Sequence, residues 1–285
     1  MEVGPKTWIL YPSRSDVIEL HNIADIHFGN KACHVRRCRE DIAAIAEDPY
    51  AFWIGGGDYA EYIGPHDKRF DASCVADLDM SDFGSLGWAL SHKVYDLFHP
   101  IAHKGLGLLI GNHEWKYFSN TDQGHMHGWL CDRLGLPNLG YCCFVDVVFV
   151  RTPRIKVPML TRTCPAHGKG SDRFRVRIVA HHGFGSARTP GGKINKIREA
   201  LNAFDCDVAF LAHMHDRKAD RKTTITLRGK HIVERSQVGV ISGSYLRTYA
   251  EGVSTYGEQK LYPPVTFGPA SVRIRPFKRE IKAEV

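Results

Sequence analysis

The chain has 285 residues, of which 43% are hydrophobic and 24% charged, a composition that predicts a globular protein with a sizeable core and excludes a disordered one. The net charge of +7 and the pI near 9.0 favour an anionic partner, and we recognise no dedicated nucleic-acid-binding module. No apolar stretch approaches the roughly 20 residues that cross a bilayer, and the eight cysteines form no compact framework, so we expect a cytoplasmic protein with reduced thiols and no membrane contact.

The first part of the chain predicts strands that alternate with helices and end at carboxylates. An apolar strand over Val17–Ala24 ends at Asp25, and His27 follows two residues later. A helix comes next, since apolar residues then recur at spacings of three and four. A short second strand, Ala51–Ile54, runs through three glycines into Asp58. Each strand thus delivers an acidic side chain at its carboxyl end.

A polar, weakly helical segment at about 64–103 interrupts this alternation. We expect a single domain, 1–285, in which this segment is an inserted cap. The strand pattern resumes at Leu106–Ile110 and ends on Gly111, Asn112 and His113.

The second half of the chain is richer in strands. The predicted strands are Cys142–Val150, Phe174–Ala180 and Val208–Ala212. The second of them leads into the adjacent pair His181 and His182, and the third leads into His213 and His215. A helix between these two strands is indicated by apolar residues at helical spacing.

Five strand ends therefore deliver imidazole, carboxylate or amide groups. Each one alone is weak evidence, because a histidine or aspartate near a strand end is commonly packed or part of a turn. In an open α/β sheet, however, the carboxyl ends of the strands share one rim, where groups distant in sequence converge. This mixture of ligands suits Zn, Fe or Mn rather than Ca or a thiolate site.

These residues resemble the calcineurin-like metallophosphoesterase superfamily. The matching motifs are Asp25-Ile26-His27, Gly57-Asp58, Gly111-Asn112-His113-Glu114, His181-His182 and His213-Met214-His215. The resemblance covers about residues 20–215, and its most specific part is the third motif. It implies a four-layer α/β/β/α sandwich of two mixed β-sheets flanked by helices, with a dinuclear metal site at the strand ends.

The resemblance also implies two ligand sets that share one carboxylate. Metal one would be held by Asp25, His27, Asp58 and His215, and metal two by Asp58, Asn112, His181 and His213. A bridging hydroxide would then attack the phosphorus of a phosphomonoester or phosphodiester, and the metals would be Mn, Zn or Fe. His113 would protonate the leaving oxygen.

The chain departs from the superfamily pattern at two places. Ala212 replaces the usual glycine before the last motif, which changes backbone room rather than ligation. The pair His181-His182 replaces a His-x-Pro sequence and leaves two candidates for one ligand position. We favour His181, the first histidine after the strand, with His182 as the alternative ligand.

Two further residues receive weaker roles. We expect Glu114 to orient His113 or another group behind the ligands. Arg188 lies in a basic, glycine-rich loop that would contact a substrate phosphate, although such loops are usually only solvated turns.

Two alternative functions remain open at this point. One is a nuclease of the same superfamily acting on DNA, which the net charge allows. The other is a catalytically silent metal-binding module that keeps the fold. The sequence does not indicate the oligomeric state.

Overall fold

A computed structural model of the protein describes residues 1–64, 67, 70, 80–121, 123–165, 173–185 and 187–285. The strands are β1 (Glu2–Val3), β2 (Thr7–Tyr11), β3 (Ile18–Ile23), β4 (Ala51–Gly55), β5 (Gly105–Leu108), β6 (Cys142–Arg151), β7 (Met159–Thr161), β8 (Arg173–His181), β9 (Val208–Leu211), β10 (Lys218–Arg228), β11 (His231–Ile241), β12 (Ala270–Arg275) and β13 (Glu280–Glu284). The α-helices are α1 (Val35–Glu47), α2 (Leu86–Phe98), α3 (Asn112–Ser119), α4 (Met126–Leu134), α5 (Pro190–Ala203) and α6 (Tyr256–Gln259), and Met80–Ser85 and His99–Lys104 form 3₁₀ helices.

The strands form two mixed sheets. The large sheet has the order β10-β11-β9-β8-β6-β2-β7, with β1 pairing beside β6, and the small sheet has the order β13-β12-β3-β4-β5. In the small sheet β3, β4 and β5 run parallel, and in the large sheet β8, β9 and β11 run parallel. These parallel strands bring their carboxyl ends to a common edge in each sheet, as expected for an open α/β architecture.

The two sheets pack face to face over a shared apolar core. Ile9, Leu20, Ile54, Val147 and Ile178 are among its fully buried members, and they come from both sheets. Strand alternation turns the neighbouring residues outward, so Val179 of β8 packs with Ile197 and Leu201 of α5 on the outer face of the large sheet.

The outer face of the small sheet is covered by α1, α2 and α4. Trp53 of β4 lies in this cluster, and its indole nitrogen donates a hydrogen bond of 2.8 Å to the carbonyl of Ile101. Helices therefore cover both outer faces of the paired sheets. The predicted four-layer α/β/β/α sandwich is confirmed.

The structure describes the later part of the segment predicted as an inserted cap. Leu86, Leu90, Val94 and Phe98 of α2 are all buried in the core cluster of the small sheet. Because these apolar residues recur every four positions, α2 packs one face on the small sheet, and the cap over about 64–103 stays a prediction. Most of the segment's first part, residues 65–66, 68–69 and 71–79, lies outside the described residues.

None of the helices in the described part of the chain is long and apolar enough to cross a membrane.

Candidate metal centre

The motif residues lie in loops at one edge of the sandwich, where the two sheets meet. The loops after β3, β4 and β5 come from the small sheet, and the loops after β8 and β9 come from the large sheet. Hydrogen bonds join the two sides: the backbone N–H of His213 donates to Asp25 Oδ2 at 2.8 Å, and Asn22 Nδ2 donates to the carbonyl of Leu211 at 2.8 Å. The sheets are thus fixed against each other at this edge.

Five of the predicted ligands have a left-handed backbone, which non-glycine residues rarely adopt. Their φ angles are 52° at Asp25, 53° at His27, 54° at Asp58, 69° at His213 and 48° at His215. Each such residue costs on the order of 1–3 kcal/mol unless its surroundings compensate, and residues of this kind cluster at functional sites. The sharp turns aim side chains from different strand ends at a common point.

Asp25, His27 and His215 form the first group with metal-ligand geometry. The Nε2 of His215 lies 3.5 Å from Asp25 Oδ1, and the ring centroids of His27 and His215 are 5.2 Å apart. The Nε2 of His27 also lies 4.0 Å from Asp58 Oδ2, so this group adjoins the next one.

Asp58, His182 and His213 form the second group. One terminal atom of the Asn112 amide lies 2.9 Å from His182 Nε2, 3.1 Å from Asp58 Oδ2 and 2.8 Å from His213 Nδ1. The Nε2 of His182 is 3.3 Å from Asp58 Oδ2. Carboxylate, amide and two imidazoles therefore converge within a few ångströms.

The structure places in this group His182, the alternative ligand, and not His181, the residue that the sequence analysis favours. His182 is fully buried, whereas His181 is half-buried and its Nδ1 accepts a hydrogen bond from the backbone N–H of Gly183 at 2.7 Å. Strand alternation is the reason: Ile178 and Ala180 of β8 face the space between the sheets, and the same period continues to residue 182. That alternation was visible in the sequence.

The donor set fits a bound cation. Asp25 Oδ1 and His27 Nε2 are buried without a hydrogen-bond partner among the described residues, although unsatisfied buried polar atoms are rare in proteins. The Nδ1–H of His182 donates to the carbonyl of Gly56 at 2.8 Å, which fixes the ring and turns Nε2 toward Asp58. Histidine ligands are commonly oriented by such a second hydrogen bond.

The buried charges of the site stabilise one another. Although burial opposes ionisation, the charges of His182 and His113 hold the pKa of Asp58 well below its usual value. Burial also opposes the charge on His182, but Asp58 raises the pKa of His182 to about 10. A carboxylate at this position attracts positive charge, whether from a proton or from a metal ion.

Glu114 supports the loops that carry the ligands. Its carboxylate accepts hydrogen bonds from the backbone N–H groups of Asp58 at 2.9 Å, Tyr59 at 2.7 Å and Gly111 at 2.9 Å. Burial and the nearby charge of Asp58 raise the pKa of Glu114 to about 7. Its described contacts orient the backbone at Asp58 rather than His113.

The two loops approach each other so closely that only glycine fits at position 111. A Cβ on Gly111 would lie 2.1 Å from Asp58 Oδ1 and 2.3 Å from the backbone nitrogen of Asp58. The glycine of this motif is thus required by the contact between the loops.

His113 adjoins the site and is positioned by Glu61, a residue that the sequence analysis missed. The backbone N–H of His113 donates to Asp58 Oδ1 at 2.9 Å, and its ring Nδ1 lies 2.6 Å from the carbonyl oxygen of Glu61. The Glu61 side chain accepts a hydrogen bond of 3.0 Å from His27 Nδ1. The sequence feature that could have indicated Glu61 was its position three residues after Asp58, in the same loop.

Arg188 is not among the clustered residues. It is exposed, and its guanidinium lies over the ring of Tyr262, 4.6 Å from the ring centroid. Its contact with a substrate phosphate therefore stays a prediction.

The candidate site lies at one edge of the two packed sheets, and Asp58 connects its two halves. One half contains Asp25, His27 and His215, and the other contains Asn112, His182 and His213. Their order along the chain is the order of the motifs that carry the resemblance to the calcineurin-like metallophosphoesterase superfamily. The residues of this candidate site come from the loops after five separate strands, β3, β4, β5, β8 and β9.

Comparisons with known proteins give distant structural similarities. No family model and no curated protein matches the chain. A predicted phosphoesterase from Streptococcus pneumoniae TIGR4 is 10% identical with a TM-score of 0.32, over 91% of this chain and 84% of that one. Vps29 from Entamoeba histolytica, complexed with Zn²⁺, is 12% identical with a TM-score of 0.33, over 94% and 97%.

A third structure, a metallophosphoesterase from Sphaerobacter thermophilus, is 13% identical with a TM-score of 0.37 and covers 94% of this chain and 87% of that one. Because these identities and TM-scores are low, the functional proposal rests on the residues of this chain.

Proposed function

We propose that the protein is a metal-dependent phosphoesterase that hydrolyses phosphomonoesters or phosphodiesters. The observation that carries the proposal is the position of Asp58. Its carboxylate lies 3.3 Å from His182 in one ligand group and 4.0 Å from His27, which belongs to the other group. Two cations held close together need such a shared anion, because it offsets their mutual repulsion.

The proposed ligands divide into two sets. Asp25, His27, Asp58 and His215 would hold one ion, and Asp58, Asn112, His182 and His213 the other. Imidazole and oxygen ligands of this kind suit Mn, Zn or Fe. When bound, such ions would activate a water for attack and neutralise charge on the phosphoryl oxygens.

His113 is the proposed general acid. Its Nδ1 is engaged with the carbonyl of Glu61, and its backbone is fixed to Asp58, so the ring has a defined orientation beside the ligands. The ring stands edge-on to His27 with centroids 4.6 Å apart. Proton transfer to the leaving oxygen would use Nε2, and a positioned acid of this type contributes about 10²- to 10⁴-fold to the rate.

We also propose a cytoplasmic location, supported by the free thiols of the cysteines that the structure describes. DNA hydrolysis and metal binding without catalysis are the competing functions.

The decisive experiment is hydrolysis of p-nitrophenyl phosphate and its bis ester by protein stripped of metal and resupplied with Mn, Zn or Fe. We expect turnover that depends on the added metal, and the preferred ester distinguishes a monoesterase from a diesterase. An Asp205→Asn variant, altered at an exposed carboxylate in the loop between α5 and β9, is the control and should behave like the parent. Two bound ions without turnover on either ester would contradict the proposal and favour a silent binding module.

A further inference from the structure

His215 differs from His182 in how its ring is held. The Nδ1–H of His182 donates to the carbonyl of Gly56 at 2.8 Å, and a hydrogen bond of this kind fixes the orientation of a metal-ligating histidine. Within the described part of the chain, no hydrogen bond of this kind holds the ring of His215, whose Nε2 lies 3.5 Å from Asp25 Oδ1. The direction of the His215 ring therefore depends on the backbone that carries it.

The backbone at His215 is strained and is held by a neighbouring loop. Its φ of 48° is left-handed, a conformation that persists in a non-glycine residue only when the surrounding structure compensates. The backbone N–H of Thr266, in the loop between α6 and β12, donates to the carbonyl of His215 at 3.4 Å. The hydroxyl of Thr266 donates to Oδ1 of the next residue, Asp216, at 2.8 Å. One loop thus contacts both the main chain of His215 and the side chain that follows it.

Two lysines complete the contacts of Asp216. The ammonium of Lys193, near the start of α5, lies 3.1 Å from Asp216 Oδ2, and that of Lys218, the first residue of β10, lies 3.2 Å from the same oxygen. Lys193 is only 6% exposed, so water and salt screen this ion pair weakly. A helix, a strand and a loop therefore meet at one carboxylate directly after a candidate ligand.

We propose that Asp216 is a positioning residue: its three contacts hold His215 in the direction in which Nε2 binds the ion of the group that includes Asp25. The proposal rests on the function proposed above, because it concerns the geometry of the metals invoked there. The two lysines carry positive charge, and their direct electrostatic effect on a nearby cation is repulsive. Positioning and direct electrostatics therefore predict opposite results when Lys193 loses its charge.

Backgrounds that retain one ion each test this role. His182→Ala should keep only the ion of the Asp25 group, and His215→Ala only the other ion. In the His182→Ala background, Asp216→Asn should weaken Mn²⁺ binding by about 10- to 100-fold, the loss typical of a group that orients a metal ligand. In the His215→Ala background, the same change should alter Mn²⁺ affinity by no more than about twofold, as for independent sites. The electron paramagnetic resonance signal of free Mn²⁺ measures both affinities.

Two substitutions of Lys193 distinguish positioning from direct electrostatics. If charge alone mattered, Lys193→Met would raise Mn²⁺ affinity, because it removes a positive charge near the site. We expect the affinity in the His182→Ala background to fall by about 10-fold instead, since Asp216 loses its buried partner. Lys193→Arg keeps the ion pair and should retain most of the affinity. An unchanged or raised affinity in Lys193→Met would overturn the proposal.

Asp220→Asn is the matched control for a general loss of stability. Asp220 of β10 pairs with Arg198 of α5 at 2.7 Å, so this variant also breaks an ion pair of α5, but one that is not adjacent in sequence to a candidate ligand. We expect its Mn²⁺ affinity to equal that of the parent, whatever the change in its melting temperature. A Mn²⁺ affinity as weak as that of Asp216→Asn would overturn the proposal, because docking of α5 in general would then set the affinity.

Binding and turnover separate this proposal from the hydrolase proposal. Selective weakening of one ion in Asp216→Asn, without hydrolysis of any ester by the parent, would overturn the proposed function and leave the positioning role intact. Metal-dependent hydrolysis by the parent, with equal Mn²⁺ affinities in Asp216→Asn and the parent, would overturn the positioning role alone. A parent that binds no Mn²⁺ would overturn both.

Discussion

The carboxylate of Glu114 accepts a hydrogen bond of 2.9 Å from the backbone N–H of Asp58, and the same oxygen accepts one of 2.9 Å from Gly111. One buried side chain therefore fixes the loop of the shared carboxylate to the loop that begins α3. Because the N–H groups it binds are buried, their hydrogen bonds have no alternative in water.

Replacing Glu114 by glutamine should disturb both stability and metal binding. The amide would present an NH₂ group to one of the buried N–H donors, and leaving such a donor unsatisfied costs about 1–3 kcal/mol. We expect a lower melting temperature and a lower metal content, as measured by thermal unfolding and elemental analysis. Glu40→Gln, which alters a carboxylate exposed beside Arg36, is the matched control. Equal melting temperatures for the two variants would contradict the supporting role of Glu114.

Two alanine variants test which histidine of the adjacent pair is a ligand. His182→Ala should remove one of two bound ions, because only His182 is grouped with Asp58 and His213 in the structure. His181→Ala should keep both ions, since that ring instead accepts the Gly183 N–H. The measurement is the metal-to-protein ratio after dialysis. Loss of an ion in His181→Ala alone would show that the second histidine is not the ligand.

Asp58→Asn and His113→Ala should separate binding from catalysis. Removing the charge of Asp58 weakens the attraction for both ions, so metal and activity should be lost together. His113→Ala should keep both ions and lose about 10²- to 10⁴-fold in kcat, as expected for a missing general acid. Metal content and steady-state kinetics provide the two readouts. Near-normal turnover in His113→Ala would contradict the proposal that His113 protonates the leaving oxygen.

Metal affinity should increase with pH through neutrality. In the metal-free protein the pKa of His182 is raised to about 10, so this side chain is protonated at pH 7 and must lose its proton to bind an ion. Below that pKa the affinity for the ion held by His182 should rise about tenfold for each pH unit, with about one proton released from this group when that ion binds. Calorimetric titrations in buffers of different ionisation enthalpy measure that proton release. An affinity independent of pH between 7 and 9 would contradict it.

The same shift has a consequence for the metal-free fold. Because the folded pKa lies above the ordinary value of 6.5, the stability contributed by protonated His182 is complete below about pH 6.5 and is lost as the pH rises toward 10. Metal-free protein should therefore become less stable over that range, and the loss should be smaller in His182→Gln. Urea unfolding at several pH values checks this.

Lys104→Met should destabilise the protein without affecting the metal site. The buried ammonium of Lys104 donates to the carbonyls of Ile45, Ala46 and Asp48 at the end of α1, where cations are favoured by the helix dipole. Leaving these acceptors unsatisfied should cost about 1–3 kcal/mol in urea unfolding. Lys156→Met, which alters an exposed lysine, is the control. An unchanged free energy of unfolding in Lys104→Met would show that water takes the place of the ammonium at the carbonyls of α1.

The sequence by itself indicated alternating strands and helices with polar residues at the strand ends, whereas the sandwich of two sheets was expected from the resemblance to the superfamily. Strand ends are visible as apolar runs that stop at polar residues, and the parallel strands of an open sheet share one edge, so Asp25, Asp58 and Asn112 were assigned to one place. Local patterns suffice for such features because they depend on chain periodicity alone.

The tertiary structure decided the remaining features. The alternation along β8 was visible in the sequence, but the packing of the two sheets decided which of its faces, and therefore which histidine, is turned toward the candidate site. Glu61 and Glu114 act through contacts with the backbone and side chains of other loops, and no local pattern distinguishes such carboxylates from surface ones. The apolar stripe of α2 was concealed in the sequence by its polar neighbours, and it has meaning only against the buried face of the small sheet. The physical reason is the same in each case. The role of a side chain depends on the residues that it contacts, and only folding brings together residues that are far apart in the sequence.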